Sequence, residues 1–217
     1  MKEKIHIYKS DDIKITYDVN RCIHSAKCVK GLPRVFDSKK KPWIQPENAP
    51  GDAIARVIEK CPTGALQYKM LNGEANEKPP SKNRIILQEN GPAYFFGDLE
   101  IQDADGNVIL RDTRFSYCRC GQSKNKPACD NSHIEAEFKG GVRVDRARLP
   151  ESKETEHGRL IIKLMKNGPA LLEGSYRIES AAVGQHESKK NIALCRCGGS
   201  ANKPFCDGTH RKIGFEG

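Results

Sequence analysis

The chain has 217 residues, enough for one large domain or two to three small ones. Its formal charge of +9 comes from 37 basic and 28 acidic residues, and the basic residues form no dense block that would indicate a nucleic-acid partner. It has no run of eighteen apolar residues and no charged-then-apolar leader, so we expect a soluble, cytoplasmic protein without a membrane partner. The nine cysteines are clustered, and their odd number favours metal binding in a reducing compartment over a disulfide scaffold.

The N-terminal third of the chain predicts a small domain of mixed secondary structure. Residues 11–19 alternate apolar and polar side chains as a strand does, whereas residues 52–60 have the apolar spacing of a helix. The stretch VFDSKKKPWI at 35–44 predicts a hairpin with Pro42 near its turn. The stretch CPTGALQYKM at 61–70 predicts a helix end, a turn and a last strand.

Three cysteines of this third, Cys22, Cys28 and Cys61, are candidate ligands of one iron–sulfur cluster. Bacterial ferredoxins use Cys-x2-Cys-x2-Cys and a remote Cys-Pro, and here Ser25 takes the place of the middle cysteine. Three thiolates fit a [3Fe–4S] cluster, whereas a [4Fe–4S] cluster needs Ser25, His24 or an external group as its fourth ligand. The segments RCIHSAKCV, VFD, KPWI and CPTGAL resemble the divergent single-cluster ferredoxin family over about residues 10–70.

The rest of the chain contains one unit twice. NGPAYFFG and CRCGQSKNKPACDNSH are followed, 77 residues later, by NGPALLEG and CRCGGSANKPFCDGTH. Because no gap is needed, these stretches define two copies at about residues 84–140 and 159–217. Each copy begins with β-rich residues, turns at Asn-Gly-Pro and runs through a second strand to its cysteines. The polar segments 71–82 and 149–157 are interpreted as linkers.

Each copy has three cysteines and a histidine at metal-ligand spacing. Cys118 and Cys120 lie two apart, so in an extended segment both thiolates face the same side. Cys129 and His133 lie four apart and share a face if the chain is helical there. The second copy repeats this set as Cys195, Cys197, Cys206 and His210. Such a set suits tetrahedral zinc or a [2Fe–2S] cluster, which takes two ligands on each iron, and spacing favours the cluster only moderately.

The pattern C-x-C-x2-S-x3-P-x-C-D-x-(S/T)-H resembles the CDGSH iron–sulfur family of mitoNEET-like proteins. The matched residues beside the ligands, which we expect to form the cofactor-binding loops, are Ser123, Pro127, Asp130, Ser200, Pro204 and Asp207. Each Asp is expected to N-cap a short helix, and each Pro to keep the chain before the third cysteine extended. The first copy departs from the pattern at Asn131, where the family has glycine.

The CDGSH resemblance implies a [2Fe–2S] cluster in each copy, with the Cys-x-Cys pair on the inner iron and the Cys–His pair on the outer one. Members of the family are homodimers that share β-segments. The two tandem copies therefore imply a monomer with internal pseudo-twofold symmetry.

We therefore predict an α+β protein in which a ferredoxin-like domain is followed by two β-rich CDGSH-type domains that form an internal pseudo-dimer. The predicted domain bounds are 1–71, 84–148 and 158–217. The nine cysteines divide evenly among one [3Fe–4S] or [4Fe–4S] and two [2Fe–2S] clusters. We expect a non-enzymatic electron carrier for soluble redox proteins; the alternatives are a cluster donor to apo iron–sulfur acceptors, a redox or pH sensor, and, remotely, a zinc-binding nucleic-acid module.

A neutral imidazole ligand predicts proton-coupled redox chemistry and cluster loss in acid, because a protonated imidazole cannot bind iron. The double substitution His133→Cys and His210→Cys should therefore flatten the pH dependence of both the midpoint potential and the cluster lifetime. Both quantities can be followed between about pH 5 and 8 by redox titration and by decay of the visible absorbance. An unchanged pH dependence in the double variant would refute the prediction.

Overall fold

The computed structural model describes residues 4–71, 73, 77–144, 149, 157–182 and 184–217. The chain divides into two compact units, Lys2–Lys78 and Pro79–Gly217, so the two repeats lie in one unit. The mixture of strands and short helices agrees with the α+β prediction. Most of the predicted linker 149–157 lies outside the described residues. No helix in the described residues is long and apolar enough to cross a membrane.

The N-terminal unit is an antiparallel sheet with two short helices. Its elements are β1 (Ile5–Lys9), β2 (Ile13–Asp18), α1 (Lys27–Gly31), α2 (Gly51–Ile58) and β3 (Leu66–Met70). In the described residues β2 lies between β1 and β3. The predicted strand at 11–19 and helix at 52–60 are therefore present, whereas β1 and α1 have no sequence counterpart in the predictions.

Alternation along β2 buries Ile13 and Ile15 completely, and the apolar side of α2 buries Ile54 and Ile58 against them. The predicted hairpin at 35–44 forms only one isolated antiparallel bridge, between Phe36 and Ile44, so it does not contain regular strands. The six residues around its turn are mostly exposed and bury too little apolar surface to extend the pairing.

The C-terminal unit is a mixed sheet with a short helix after each cysteine motif. The first repeat forms β4 (Arg84–Leu87), β5 (Ala93–Gln102), β6 (Val108–Tyr117) and α3 (Ser132–Glu135). The second forms β7 (Leu160–Leu164), β8 (Ala170–Glu173), β9 (Tyr176–Ser180), β10 (Gly184–Ser188), β11 (Ile192–Leu194) and α4 (Thr209–Lys212). In the described residues the strand order is β10-β9-β4-β5-β7-β8-β11, with β6 paired to β5.

Each repeat contributes a strand to the other repeat's half of the sheet. The first half of β5 pairs with β4, and its second half runs parallel to β7 of the second repeat. Correspondingly, β8 pairs with β7, whereas β9 runs parallel to β4 of the first repeat. The registers match at the 77-residue offset, since Ile85 pairs with Ile178 and Ile162 with Ile101.

The exchange takes place at a glycine in each repeat, Gly97 and Gly174, both of which have positive φ. The register of β5 shifts there, and β8 ends just before the equivalent position. Buried Asn83 joins the repeats at this point, because its amide nitrogen donates 2.8 and 2.9 Å hydrogen bonds to the carbonyls of Gly158 and Ser175. Apolar side chains of both repeats form one continuous core.

The two cysteine motifs meet backbone to backbone. A Cβ atom on Gly121 would lie 2.7 Å from the carbonyl oxygen of Cys197, and one on Gly198 would lie 2.5 Å from that of Cys120. Both glycines have a φ of +76°, which side chains with a Cβ rarely adopt. The absence of a side chain at these two positions therefore permits the close approach of the motifs.

We expect Gly121→Ala to destabilise the C-terminal unit by about 2–6 kcal/mol, because the left-handed backbone and the collision with Cys197 each cost roughly 1–3 kcal/mol. Gly106→Ala is the matched control: Gly106 has a similar φ of +91° but no atom within 4 Å of an added Cβ. The control should lose only about 1 kcal/mol. Denaturant unfolding measures both, and equal losses would contradict the proposed close packing.

Candidate metal centres

The four candidate ligands of the first repeat come together as two pairs, which we call the first-repeat site. The sulfurs of Cys118 and Cys120 are 3.6 Å apart, and the sulfur of Cys129 lies 3.5 Å from Nδ1 of His133. The three cysteines are at most 7 % exposed, whereas the histidine is half-buried. The site is thus buried at its cysteines and open at its histidine.

The second-repeat site has the same geometry. The sulfurs of Cys195 and Cys197 are 3.7 Å apart, and that of Cys206 lies 3.3 Å from Nδ1 of His210. In the described residues no group of three or more His, Cys, Asp or Glu side chains is close enough to hold a single metal ion. The candidate ligands of both sites stand in pairs.

A tight return of the chain brings the two pairs of each site together. The amide of Cys118 donates to the carbonyl of Pro127 at 2.9 Å, and that of Cys195 does the same to Pro204. The predicted extended approach at the prolines is wrong: residues 124–127 and 201–204 form turns, closed by hydrogen bonds from Ala128 to Asn125 and from Phe205 to Asn202. Only the residue after each proline makes an isolated antiparallel bridge to the preceding strand. The third cysteine lies before the short helix that carries the histidine, because that helix begins three residues later, at Ser132 in the first repeat and Thr209 in the second.

The predicted loop serines tie this return together. Ser123 Oγ donates to the carbonyl of Ala128 at 2.7 Å and accepts from the amide of Asn125. Ser200 makes the equivalent bonds, donating to Phe205 at 2.7 Å. The two serines therefore stabilise the predicted cofactor-binding loops through hydrogen bonds. Direct contact between these serines and a cofactor stays a prediction.

The predicted N-caps need a correction. The residue that caps α3 is Asn131, which has a φ of 72° and makes no side-chain capping bond. Asp130, one position earlier, accepts from the amides of Ser132 at 3.0 Å and Lys124 at 2.8 Å, and Asp207 bonds its own loop similarly. The left-handed residue before the helix shifts the cap by one position, and at Asn131 asparagine replaces glycine without loss of that conformation.

Hydrogen bonds and burial shift the pKa values of the first-repeat cysteines in opposite directions. Cys120 lowers the pKa of Cys118 to about 6 by donating to its sulfur, while its own pKa is raised by the same bond. Burial raises the pKa of Cys129 to about 11. The backbone amides of Gln122 and Asn131 donate to the sulfurs of Cys120 and Cys129 at 3.4 and 3.5 Å. These sulfurs are therefore poised to exchange protons for metal, which stabilises the thiolate form.

Two buried arginines lie between the paired cysteines, and sequence reasoning did not single them out. Arg119 and Arg196 are 5 and 6 % exposed, and each guanidinium stacks on an aromatic ring, Phe138 at 5.7 Å and Phe215 at 5.6 Å. Burial lowers the pKa of Arg119 to about 10, and the thiolate of Cys195 in the other repeat opposes that shift. Both arginines occupy the middle position of a Cys-x-Cys motif, and this sequence position could have identified them as candidate site residues.

Each arginine also has a contact that crosses between the repeats. Burial lowers the pKa of Arg196, and the thiolate of Cys118 opposes the shift, as Cys195 does for Arg119. Nη2 of Arg119 donates to the carbonyl of Gly141 at 3.0 Å, whereas its Nη1 has no hydrogen-bond partner in the described part of the chain. A buried unpaired donor beside thiolates fits an anionic group in these sites.

The three N-terminal cysteines line one cavity of about 310 Å³. His24, Ser25 and the core residues Tyr17 and Trp43 also line it. Burial raises the pKa of Cys28 to about 11, so this thiol is protonated when no metal binds it. The structure therefore brings Cys22, Cys28 and Cys61 to one site, as predicted, together with both candidates for a fourth ligand.

The N-terminal cavity also contains polar partners for the cysteines. Thr63 Oγ1 is 3.6 Å from the sulfur of Cys61, and the buried guanidinium of Arg21 donates to the carbonyl of Thr63 at 2.6 Å. Burial, and then the hydrogen bond with Cys22, raise the pKa of Tyr17. These three polar residues were not recognised from the sequence because only the cysteines carry a spacing pattern.

Two family descriptions match the chain. The family described as "Divergent 4Fe-4S mono-cluster" matches residues 8–70, and the one described as "Iron-binding zinc finger CDGSH type" matches residues 90–134 and 167–211. No solved structure matches the chain significantly.

Relatives support the same division. The chain is 37 % identical over 62 residues to the uncharacterized protein YjdI of Escherichia coli strain K12, and this match covers 29 % of the chain and 82 % of YjdI. The chain is 32 % identical over 73 residues to CDGSH iron-sulfur domain-containing protein 2B of Salmo salar, covering 32 % of this chain and about half, 49 %, of that relative. The chain is therefore an iron–sulfur protein that belongs, through its N-terminal domain, to the divergent 4Fe–4S mono-cluster family and carries two CDGSH-type domains after it.

Proposed function

We propose that the protein is a non-enzymatic electron carrier with one [2Fe–2S] cluster in each repeat and one [3Fe–4S] or [4Fe–4S] cluster in the N-terminal cavity. The observation that carries the proposal is the division of each repeat's ligands into a Cys–Cys pair and a Cys–His pair. A two-iron cluster takes two ligands on each iron, whereas tetrahedral zinc requires all four ligands around one ion. When bound, the clusters supply one-electron redox chemistry.

The chain's own residues adjust that chemistry. A histidine in place of one thiolate removes one negative charge, which favours the reduced state relative to all-cysteine ligation. Nearby cations, such as the two buried arginines, also favour the reduced state because it carries one more negative charge. The open histidine side provides the shortest route for electrons to a partner protein.

The exchanged strands support a pseudo-dimer interpretation of the two repeats. Since registers of equivalent strands match at the 77-residue offset, the C-terminal unit has the arrangement expected of two subunits that share β-segments. Symmetric oligomers repeat the same contact in both directions, as Gly121 and Gly198 do here. One chain thereby supplies both halves, and we propose that the protein functions as a monomer.

Cluster donation to apo iron–sulfur proteins is the second candidate function. The half-buried positions of His133 and His210 favour it, because an accessible neutral ligand can be lost more readily than a buried thiolate. In this alternative the partners are apo acceptors instead of redox proteins.

Metal and sulfide analysis tests the proposed clusters. We expect about seven or eight irons per chain, with the lower value for a three-iron N-terminal cluster, and about eight acid-labile sulfides in either case. Electron paramagnetic resonance of the oxidised protein should show a signal for [3Fe–4S], whereas [4Fe–4S] should give a signal only after reduction. Stoichiometric zinc without labile sulfide would overturn the proposal.

The same preparation separates the two candidate functions. A carrier should be reduced by a ferredoxin or flavoprotein reductase and reoxidised with its clusters intact. A donor should instead lose iron and sulfide to an apo-ferredoxin, which is measured by the acceptor's visible spectrum after the proteins are separated.

Charge removal at the buried arginines should lower the midpoint potentials of the [2Fe–2S] clusters. At an effective dielectric constant of about 20 and a separation of about 10 Å, one charge changes the energy by about 1.7 kcal/mol, or roughly 70 mV. Arg119→Gln and Arg196→Gln should therefore shift the potentials downward by tens of millivolts, as measured by redox titration.

Two controls make this result specific. Arg119→Lys keeps the charge and should retain most of the potential. Arg159→Gln removes the same charge from an ion pair whose arginine side chain is 44 % exposed, and it should have little effect. Equal shifts in the buried and exposed variants would contradict the assigned role of the buried cations.

A further inference from the structure

The two repeat sites differ in the charge of the surface around their histidines. An open cleft of about 540 Å³ lies beside the second-repeat site. It is lined by Cys206, His210 and two cations, Lys166 and Arg211. Both cations are exposed, and the cleft therefore joins the ligand pair directly to a basic surface.

The 77-residue offset gives a matched comparison with the first-repeat site. Lys166, Arg211 and Lys212 correspond to Glu89, Ile134 and Glu135, which are exposed. The remaining positions of the motifs and the segments after them that differ in charge are Lys124 against Ala201, Glu137 against Gly214 and Lys139 against Glu216. At these positions the first repeat has three carboxylates and two ammonium groups, and the second has three cations and one carboxylate.

A further cation lies beneath the cleft of the second-repeat site. Nη1 of Arg196 donates to the carbonyl of Met165 at 2.8 Å and contacts that of Gly168 at 3.4 Å, and both of these residues line the cleft. The equivalent Arg119 donates instead to the carbonyl of Gly141, which is not the first-repeat counterpart of either Met165 or Gly168. A buried guanidinium therefore lies behind two of the residues that line the cleft.

An exposed apolar side chain lies beside these basic residues. Ile213, on the residue after α4, is 53 % exposed and lies next to the basic positions 211 and 212. An apolar contact with a charged rim is the usual composition of a transient protein interface. Opposite charge on the partner raises the association rate by about 10- to 1,000-fold at low salt.

We propose that this basic cleft is the docking surface where an acidic one-electron carrier protein of the plant-type [2Fe–2S] ferredoxin class delivers electrons to the second-repeat site. The inference rests on the proposed electron-transfer function. One electron leaves the reduced ferredoxin cluster, which is oxidised, and enters the oxidised second-repeat cluster, which is reduced. The histidine ligand makes this transfer energetically downhill from an all-cysteine donor.

The chain's own N-terminal unit does not have the charge of this partner. Residues 2–78 contain fifteen Lys and Arg against ten Asp and Glu. A basic unit is repelled by a basic cleft, so charge complementarity favours a separate acidic protein over this part of the chain. The carboxylates around the first-repeat histidine also disfavour docking of the same acidic partner there.

The test measures reduction of the second-repeat site by a pre-reduced plant-type ferredoxin in stopped-flow experiments. His133→Cys changes the ligand set of the first-repeat cluster and so makes the two clusters spectrally distinct, while the second-repeat site stays native. In this background we expect fast reduction at low ionic strength and a steep fall in the rate as salt is added. A reduction rate of the second-repeat site that is independent of salt overturns the inference.

A second experiment reverses the charge of two lysines at the second-repeat site. Lys166→Glu with Lys212→Glu should slow reduction of the second-repeat site about tenfold or more, whereas Lys166→Arg with Lys212→Arg should keep the rate. The matched control, Lys39→Glu with Lys41→Glu, makes the same change at exposed positions of the N-terminal unit and should have little effect. Equal slowing in the control variant, or no slowing in the cleft variant, also overturns the inference.

Dithionite separates failure of the inference from failure of the proposed function. If dithionite reduces the second-repeat cluster but ferredoxin shows no charge-dependent preference for it, the docking surface is wrong and electron transfer stands. If dithionite leaves the cluster oxidised, the electron-transfer function and the docking surface fail together.

Discussion

The exchange of strands between the repeats is the constraint on which the C-terminal unit depends. The apolar side chains of both repeats form one common core, and β5 reaches β7 and β9 reaches β4 within the sheet that covers it. Each crossing strand leads, through the next strand or pair of strands, to a cysteine motif. The sheet therefore determines where both sets of ligands lie and how closely they approach each other.

The close approach has an electrostatic cost that the buried arginines reduce. Two anionic sites in one protein interior repel each other, and taking thiolates out of water is unfavourable without compensation. Arg119 and Arg196 place buried positive charge near a cysteine of the other repeat, and aromatic rings and main-chain carbonyls hold their guanidiniums in place. The buried guanidiniums therefore partly balance the negative charge of thiolates at these sites.

Local patterns in the sequence predicted the parts of the structure that depend on neighbouring residues. The spacing of Cys118, Cys120, Cys129 and His133 predicted the two ligand pairs, and periodicity predicted β2 and α2. Positions set by tertiary contacts were not predictable in this way: the strand exchange joins residues up to 93 positions apart, as Ile85 and Ile178 show. The cap shifted to Asn131 because a left-handed residue precedes the helix, and propensity does not specify that conformation.

The 77-residue duplication in a single polypeptide has a consequence for how the protein can change over time. In a homodimer every substitution occurs twice and is related by the twofold axis, so both faces must accept it. Here Tyr117, whose hydroxyl is 3.5 Å from the carbonyl oxygen of Cys195, has Leu194 as its counterpart, and the substitution affects one half alone. Fusing the two halves thus allows each to specialise independently, while the shared scaffold preserves their common geometry.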